Sequence, residues 1–296
     1  MKISVLQSLF ITVLLLNSFI NCSYGANDCN SSEISIDEYQ VILEKIIKPD
    51  CASNRNNPSR FENIEIMHNK LSNTDIFTIT LAPSIISNDP QLQSISFKYM
   101  LMKRFWRINN TNIRVFSVSG PPWIKHSPQR VLAMRDDNST YLLAGFESRD
   151  FNKLVHVIIP SGSDVSGDLF SDICSFYLTN IYACGFYVKI LNSLDDINFY
   201  EPRDTCDPFW NLMVKEHSEN SENNQAIDND RRKRLEFFKP AMVFHKPVLI
   251  VDRGICKLSL YTYFYGNGHI IEWNFTMGPD KEIIIKKNLA MPALLY

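Results

Sequence analysis

The sequence predicts a mixed α/β (α+β) protein, and three observations carry that expectation. Stretches with strand alternation and stretches with helical spacing follow one another irregularly, and no short-period repeat is present. A chain of 296 residues with 45% apolar and 12% aromatic residues is also large and apolar enough to bury one full-sized core or two modest ones. The formal net charge of −2 lacks the basic excess of a dedicated nucleic-acid binder, so any nucleate partner must meet a local site.

The N-terminus speaks to compartment. Lys2 supplies a positive start, Val5 to Leu16 an apolar run too short to span a bilayer comfortably, and Ser23-Tyr24-Gly25 a small-residue exit before Ala26. Residues 1–25 therefore read as a cleaved secretory signal, with a signal anchor as the alternative. No later stretch approaches about 18 unbroken apolar residues, so a soluble, secreted mature chain with no membrane contact after cleavage is expected. Of seven cysteines, Cys22 leaves with the signal. The remaining Cys29, Cys51, Cys174, Cys184, Cys206 and Cys256 form an even set whose loose spacing favours disulfides over a metal site. Asn30, Asn109, Asn138 and Asn274 each open a glycosylation sequon, which predicts a surface loop or edge at each.

Along the chain, Asp75 to Leu81 alternates apolar and polar residues and reads as a strand. Asp89-Pro90 reads as a helix start, followed at helical spacing by Leu92, Ile95, Tyr99, Met102 and Trp106 as a core-facing stripe. Ile113 to Gly120 is a strand closed by Pro121-Pro122, and Arg130–Arg135 with Tyr141–Phe146 forms a hairpin across the polar turn Asp136 to Thr140. Leu154 to Pro160 reads as a buried strand, Asp168 to Tyr177 as a helix, Cys184 to Ile190 as extended chain, and Asp207-Pro208 as the cap of a short helix bearing Phe209, Trp210 and Met213. Glu216 to Asp230 has almost no apolar content, so a mobile polar loop is expected there, ending in the basic tract Arg231 to Arg234 where a secretory-pathway protease could cut. Beyond it, Pro247–Val251, Lys257–Tyr265, His269–Phe275 and Glu282–Lys286 read as strands, with turns at Gly266-Asn267-Gly268 and Gly278-Pro279-Asp280. The implied organisation is a signal over 1–25, a larger unit over 26–215, the polar loop over 216–235 and a shorter β-rich unit over 236–296.

Glycine-rich phosphate loops, a GxSxG elbow and HExxH spacing are all absent from the sequence, so neither a metal nor a cofactor is expected. Trp106, Trp123 and Trp210 lack a basic groove beside them and read as core residues rather than a base-stacking platform.

The run Arg107 to Phe151, RINNTNIRVFSVSGPPWIKHSPQRVLAMRDDNSTYLLAGFESRDF, is more specific. Its sequon-bearing element, Pro-rich turn, histidine and the strands RVLAM and YLLAGF resemble the deoxyribonuclease II family. Cys29 ahead of Ile36-Asp37-Glu38-Tyr39-Gln40-Val41 and Lys45-Ile46-Ile47-Lys48-Pro49 is similar to that family's mature start, where a cysteine precedes an acidic-aromatic strand. Asp172-Ile173-Cys174 and Ala183-Cys184-Gly185-Phe186 are similar to its mid-chain cysteine pair. The resemblance covers residues 26–215 and, weakly, 235–296. It implies a phospholipase D-like sheet flanked by helices, in two α/β halves that each give one His-x-Lys motif to a shared site. It also implies a Cys29–Cys174 bridge, with Cys51, Cys184, Cys206 and Cys256 left open, and metal-independent endonucleolytic cleavage of DNA in acid, inside a lysosome-like compartment or outside the cell. One histidine attacks phosphorus, the other protonates the leaving oxygen, and the lysines neutralise the phosphate.

The chain departs from that recipe. At the first motif stands His126-Ser127-Pro128, where proline replaces the lysine with a residue that has neither charge nor N–H donor. Lys125 and Arg130 are the nearby cations, but Lys125 is adjacent to His126 and in a strand would point to the opposite face. The second motif is expected beyond the last strand and has no counterpart before Tyr296, and His245-Lys246-Pro247 carries its lysine one place too early. A lost general acid costs about 10²- to 10⁴-fold, and lost charge stabilisation a comparable factor. His126 is then a vestigial catalytic residue, or simply a loop histidine. His68-Asn69-Lys70 followed by Asp75 also reproduces the wider superfamily's spacing, with a surface loop as its alternative. The expectation is a secreted, glycosylated, catalytically impaired relative that binds an extracellular ligand, with DNA as one candidate partner. An active acid endonuclease using His126 and a second histidine is the alternative, and an unrelated secreted interaction protein the third.

Overall fold

The computed structural model describes residues 34–47, 61–69, 74–81, 96–119, 130–143, 149–160, 162–182, 188–197, 221–264 and 268–291. It is an α+β structure of helices and two antiparallel sheets.

The first described element is a short helix, α1 (Ile36–Ile42), continued by a π-helical turn over Leu43–Ile47. The resemblance implied a strand here. Ser35 decides otherwise: its hydroxyl accepts from the Glu38 amide, and the Glu38 carboxylate accepts from the Ser35 amide at 2.9 Å. This reciprocal capping box satisfies two amides that a helix start would leave open.

Six strands follow as a meander, β1 (Phe61–Asn69), β2 (Thr74–Leu81), β3 (Ser96–Ile108), β4 (Thr111–Ser119), β5 (Arg130–Arg135) and β6 (Thr140–Leu142), paired in chain order. The expected strands at 75–81, 113–120 and 130–135 are present as β2, β4 and β5, and the expected hairpin turns back into β6 as far as Leu142, residues 144–146 lying outside the described residues. The helix expected after Asp89-Pro90 is corrected, since most of its stripe lies on strand β3. Ile108 pairs with Thr111 across Asn109 and Asn110, whose φ values of 47° and 59° make the two-residue turn that matches strand twist. Where its side chains are described, in β3 to β5, this sheet is covered on both faces. Leu101, Phe116, Val118, Leu132 and Met134 pack with Ile42 and Ile46 of the N-terminal helical segment, while Ile108, Ile113, Val115, Val131 and Ala133 face a larger core on the other side. A strand apolar on both faces loses its alternation, and its apolar residues then fall at i, i+3 and i+4 by accident.

The larger core is completed by two helices and a second sheet. Helix α2 (Arg149–Ile158) replaces the strand expected at 154–160, with Phe151, Leu154, Val155 and Ile158 all buried at helical spacing. Helix α3 (Gly167–Phe176) matches its expected position and is capped by Ser166, whose hydroxyl accepts from the Leu169 amide at 3.1 Å. It touches β3 of the first sheet and, in the second, β8 (Val248–Asp252) and β9 (Ile255–Phe264). That sheet runs β11 (Ile283–Met291), β10 (His269–Met277), β9, β7 (Val188–Leu191), with β8 beside the first half of β9. The four strands expected after residue 246 are therefore present. Cys256, Leu258, Leu260, Trp273, Phe275 and Met277 point inward.

The polar loop expected over 216–235 is also corrected: Ser221–Phe238 is an 18-residue helix, α4. Arg234 reaches Asp230 one turn back at 2.8 Å, and Leu235 and Phe238 dock on Tyr261, Tyr263 and Met291 of the second sheet's outer face. The anchor lies at the very end of the polar segment, where composition averaged over residues 216–230 does not register it.

Candidate functional site

Several residues singled out above lie outside the described residues: His126 with Lys125, Lys70, Cys29, Cys51, Cys184, Cys206, Asn30, Trp123, Trp210, and the short helix expected at 207–213. Of the competing constellation, His68 and Asp75 stand directly opposite each other in the register of β1 and β2. Cys174 on α3 and Cys256 on β9 are buried, unbonded thiols in one core cluster. Burial pushes both upward, Cys174 well above the usual thiol value, with the neighbouring Cys256 adding to it. Trp106 sits against the core, edge-on to Phe176 at 5.5 Å between centroids. Asn109 and Asn138 lie in turns, whereas Asn274 lies in mid-strand on β10, between β9 and β11.

The histidines with described side chains occupy separate places. His156 on α2 contacts Glu282 at 3.0 Å across the surface. His269 begins β10, and burial lowers its pKa. His245 lies on the segment leading into β8, on the outer face of the second sheet, and there the structure assembles something that spacing alone did not show.

Strand alternation puts Ile255, Lys257, Ser259 and Tyr261 of β9 on that outer face. Register then places Ile250 beside Lys257 and Val248 beside Ser259 on one side, and Thr276, Asn274 and Glu272 beside Lys257, Ser259 and Tyr261 on the other. Lys286 and Asn288 extend the last two rows onto β11. Against this face the chain lays His245. Its Nδ1 is 2.8 Å from the Lys246 carbonyl oxygen and its Nε2 is 3.1 Å from Ser259 Oγ. The ring also meets Tyr261 edge-on at 5.0 Å, and the Tyr261 hydroxyl donates to the Val243 carbonyl at 2.7 Å, pinning the same segment. Burial, with the Glu272 charge adding to it, keeps that phenol protonated by raising its pKa.

A carbonyl oxygen has no proton to give, so in the neutral imidazole Nδ1 carries the hydrogen and Nε2 presents a lone pair. Ser259 then donates its hydroxyl hydrogen to His245. His245 and Ser259 are both only partly buried. Asn274 donates to Glu272 at 3.4 Å and Asn288 donates to the other oxygen of the same carboxylate at 3.2 Å. Exposed Lys257 and Lys286 give this face cations for an anionic ligand, while the Glu272 carboxylate takes both amides. Among the described residues no group of three or more His, Cys, Asp or Glu gathers as a metal site would require. No described helix is long and apolar enough to cross a membrane.

His245 entered the sequence reading only as a misplaced His-x-Lys. Ser259 carried no signal, because its relation to His245 is made by the β8–β9 hairpin that folds residues 245 and 259 onto one face. Comparison with family models, with curated proteins and with solved structures finds no match to this chain.

Proposed function

We propose that this chain is a secreted protein of the deoxyribonuclease II type, on a phospholipase D-like two-halved scaffold, in which DNA hydrolysis is impaired and binding of an extracellular ligand is the retained activity. The observation that carries the reading is the run from Arg107 to Phe151, where family-like strands surround His126-Ser127-Pro128. Proline at the lysine's place offers neither charge nor N–H donor to a phosphate. The strands of that run, β4, β5 and β6, are sequential neighbours in one sheet, and His126 belongs to the connection between the first two. The exposed lysines of the outer face, Lys257 and Lys286, are chemically suited to a phosphate backbone, since phosphate contacts come largely from lysines and arginines. DNA, the substrate of the family that the run resembles, is therefore the first ligand to test.

The deciding experiment is a plasmid-nicking assay at about pH 5 with excess chelator, a pH at which ordinary histidines are protonated. The wild-type chain, His126→Ala and His68→Ala are compared, with a gel-shift of the same DNA in the same buffer. The expected result is retardation without nicking in every form. Nicking that disappears with His126→Ala would instead establish an active acid endonuclease.

A further inference from the structure

We propose that Ser259 is a nucleophile activated by His245, and that it forms an acyl-serine with carboxylic esters that reach the outer face of the second sheet. This does not rest on the function proposed above, since neither residue belongs to the deoxyribonuclease-like run.

The geometry meets the requirements of an activated serine one by one. The nucleophile and base are within hydrogen-bond reach at 3.1 Å, and the base is oriented by a third group, the Lys246 carbonyl at 2.8 Å. That carbonyl selects the tautomer with its lone pair on Nε2, the atom facing Ser259. The imidazole is further steadied by Tyr261, itself anchored to Val243. Ser259 stands on a regular strand held on one side by β8 and on the other by β10, which fixes the nucleophile, while His245 sits on the segment leading into β8. Asn274 is its direct cross-strand neighbour on the same face, at the roughly 5 Å Cβ spacing of such pairs. Its side-chain N–H donates to Glu272 at 3.4 Å, and turning to a developing oxyanion would exchange that anionic acceptor for another. Val248 and Ile250, 44% and 49% exposed, flank the serine and Lys257 on this face and give an acyl group an apolar bed.

The step balances without metal or redox partner. Ser259 Oγ bonds to the ester carbonyl carbon as its proton passes to His245 Nε2, and the tetrahedral oxyanion takes the Asn274 N–H. The C–O bond to the alcohol then breaks, and the imidazolium returns the proton to that leaving oxygen. Water repeats the sequence on the acyl-serine and releases the acid. The competing explanation is that the hydrogen bond only ties residues 242–247 to the sheet.

A fluorophosphonate probe separates the two, because it traps an activated serine by forming an Oγ–P bond with loss of fluoride. The full folded chain, Ser259→Ala and His245→Phe are treated alike, and the adduct is located by peptide mass spectrometry. His245→Phe keeps a ring against Tyr261 and removes both ring nitrogens, the acceptor facing Ser259 and the donor to the Lys246 carbonyl. The expected result is an adduct on Ser259 in the folded wild-type chain, and a labelling rate at least about 100-fold lower in His245→Phe, the lower bound for loss of a general base. No adduct on Ser259 of the folded wild-type chain overturns the proposal whatever the variants do, and so does a smaller decrease in His245→Phe.

Discussion

An N-glycan replaces one hydrogen of an asparagine Nδ2, so a sequon accepts it best where that nitrogen faces water and owes no hydrogen bond. Asn138 meets the condition: it is exposed in the β5–β6 turn, its φ of 61° is one asparagine tolerates, and it engages Arg114 through Oδ1 rather than through its nitrogen. Asn109 does not, since its Nδ2 donates to the Ile158 carbonyl at 2.8 Å and ties the β3–β4 turn to the end of α2. Asn274 projects from mid-strand on β10, with its nitrogen toward Glu272. Glycopeptide mass spectrometry of the secreted chain should therefore find Asn138 mostly occupied, and Asn109 and Asn274 mostly bare. Equal occupancy at Asn274 and Asn138 would refute this account, and would place a glycan on the face that carries Ser259.

At the scale of elements, α4 shows a long polar helix anchored near its C-terminal end. Among its described side chains Leu235, 7% exposed, and Phe238 join the core, and the basic tract Arg231 to Arg234 lies just before them in sequence. Leu235→Ala should release the end of the helix at a cost of about 2 kcal/mol, the low end for a buried leucine. Opening of that size should raise trypsin cleavage at Arg232 and Lys233 by about tenfold or more, because slow proteolysis follows the open population. An unchanged cleavage rate would mean that something other than Leu235 holds the tract. The same helix marks where the sequence was legible. Strands with one face open along much of their length, such as the first half of β9, announced themselves as strands, and α3 was legible as a helix. The β3 strand and α2 did not, because the first is covered on both faces and the second shows a short apolar run, Leu154 to Ile159, that a strand would also show. The Ser259–His245 pair was invisible for a different reason: it is made by strand register, and no spacing rule for local motifs reaches across a hairpin and its lead-in.

For the molecule as a whole, Glu38 makes one contribution to the acid stability that a lysosome-like setting would demand. Its carboxylate is buried beneath the N-terminal helix and receives Lys103 of β3 at 2.8 Å and Arg114 of β4 at 2.9 Å. Burial by itself would raise its pKa. The hydrogen bond from Lys103, the Ser35 amide, the Lys103 charge and the Arg114 hydrogen bond outweigh that and hold it below the ordinary value of 4.5. A carboxylate whose folded pKa is depressed contributes stability that is fully present above its unfolded pKa and is lost as pH falls through the folded one. The contribution of Glu38 should thus be constant from neutral pH down to about 5 and fade only below the ordinary carboxylate range. Glu38→Gln leaves Lys103 and Arg114 without their counter-charge, a change that costs about 3 kcal/mol for a buried pair. Arg114 keeps the Arg135 carbonyl at 3.0 Å, which limits the loss. Urea midpoints measured for both proteins between pH 7 and pH 3 should run parallel down to about pH 5 and converge below it. Convergence already at pH 6 would show that the ion cluster is not what holds the helix to the sheet. Parallel curves at pH 5 have a second use: they establish that a chain failing to nick DNA in acid fails while this helix–sheet contact is intact.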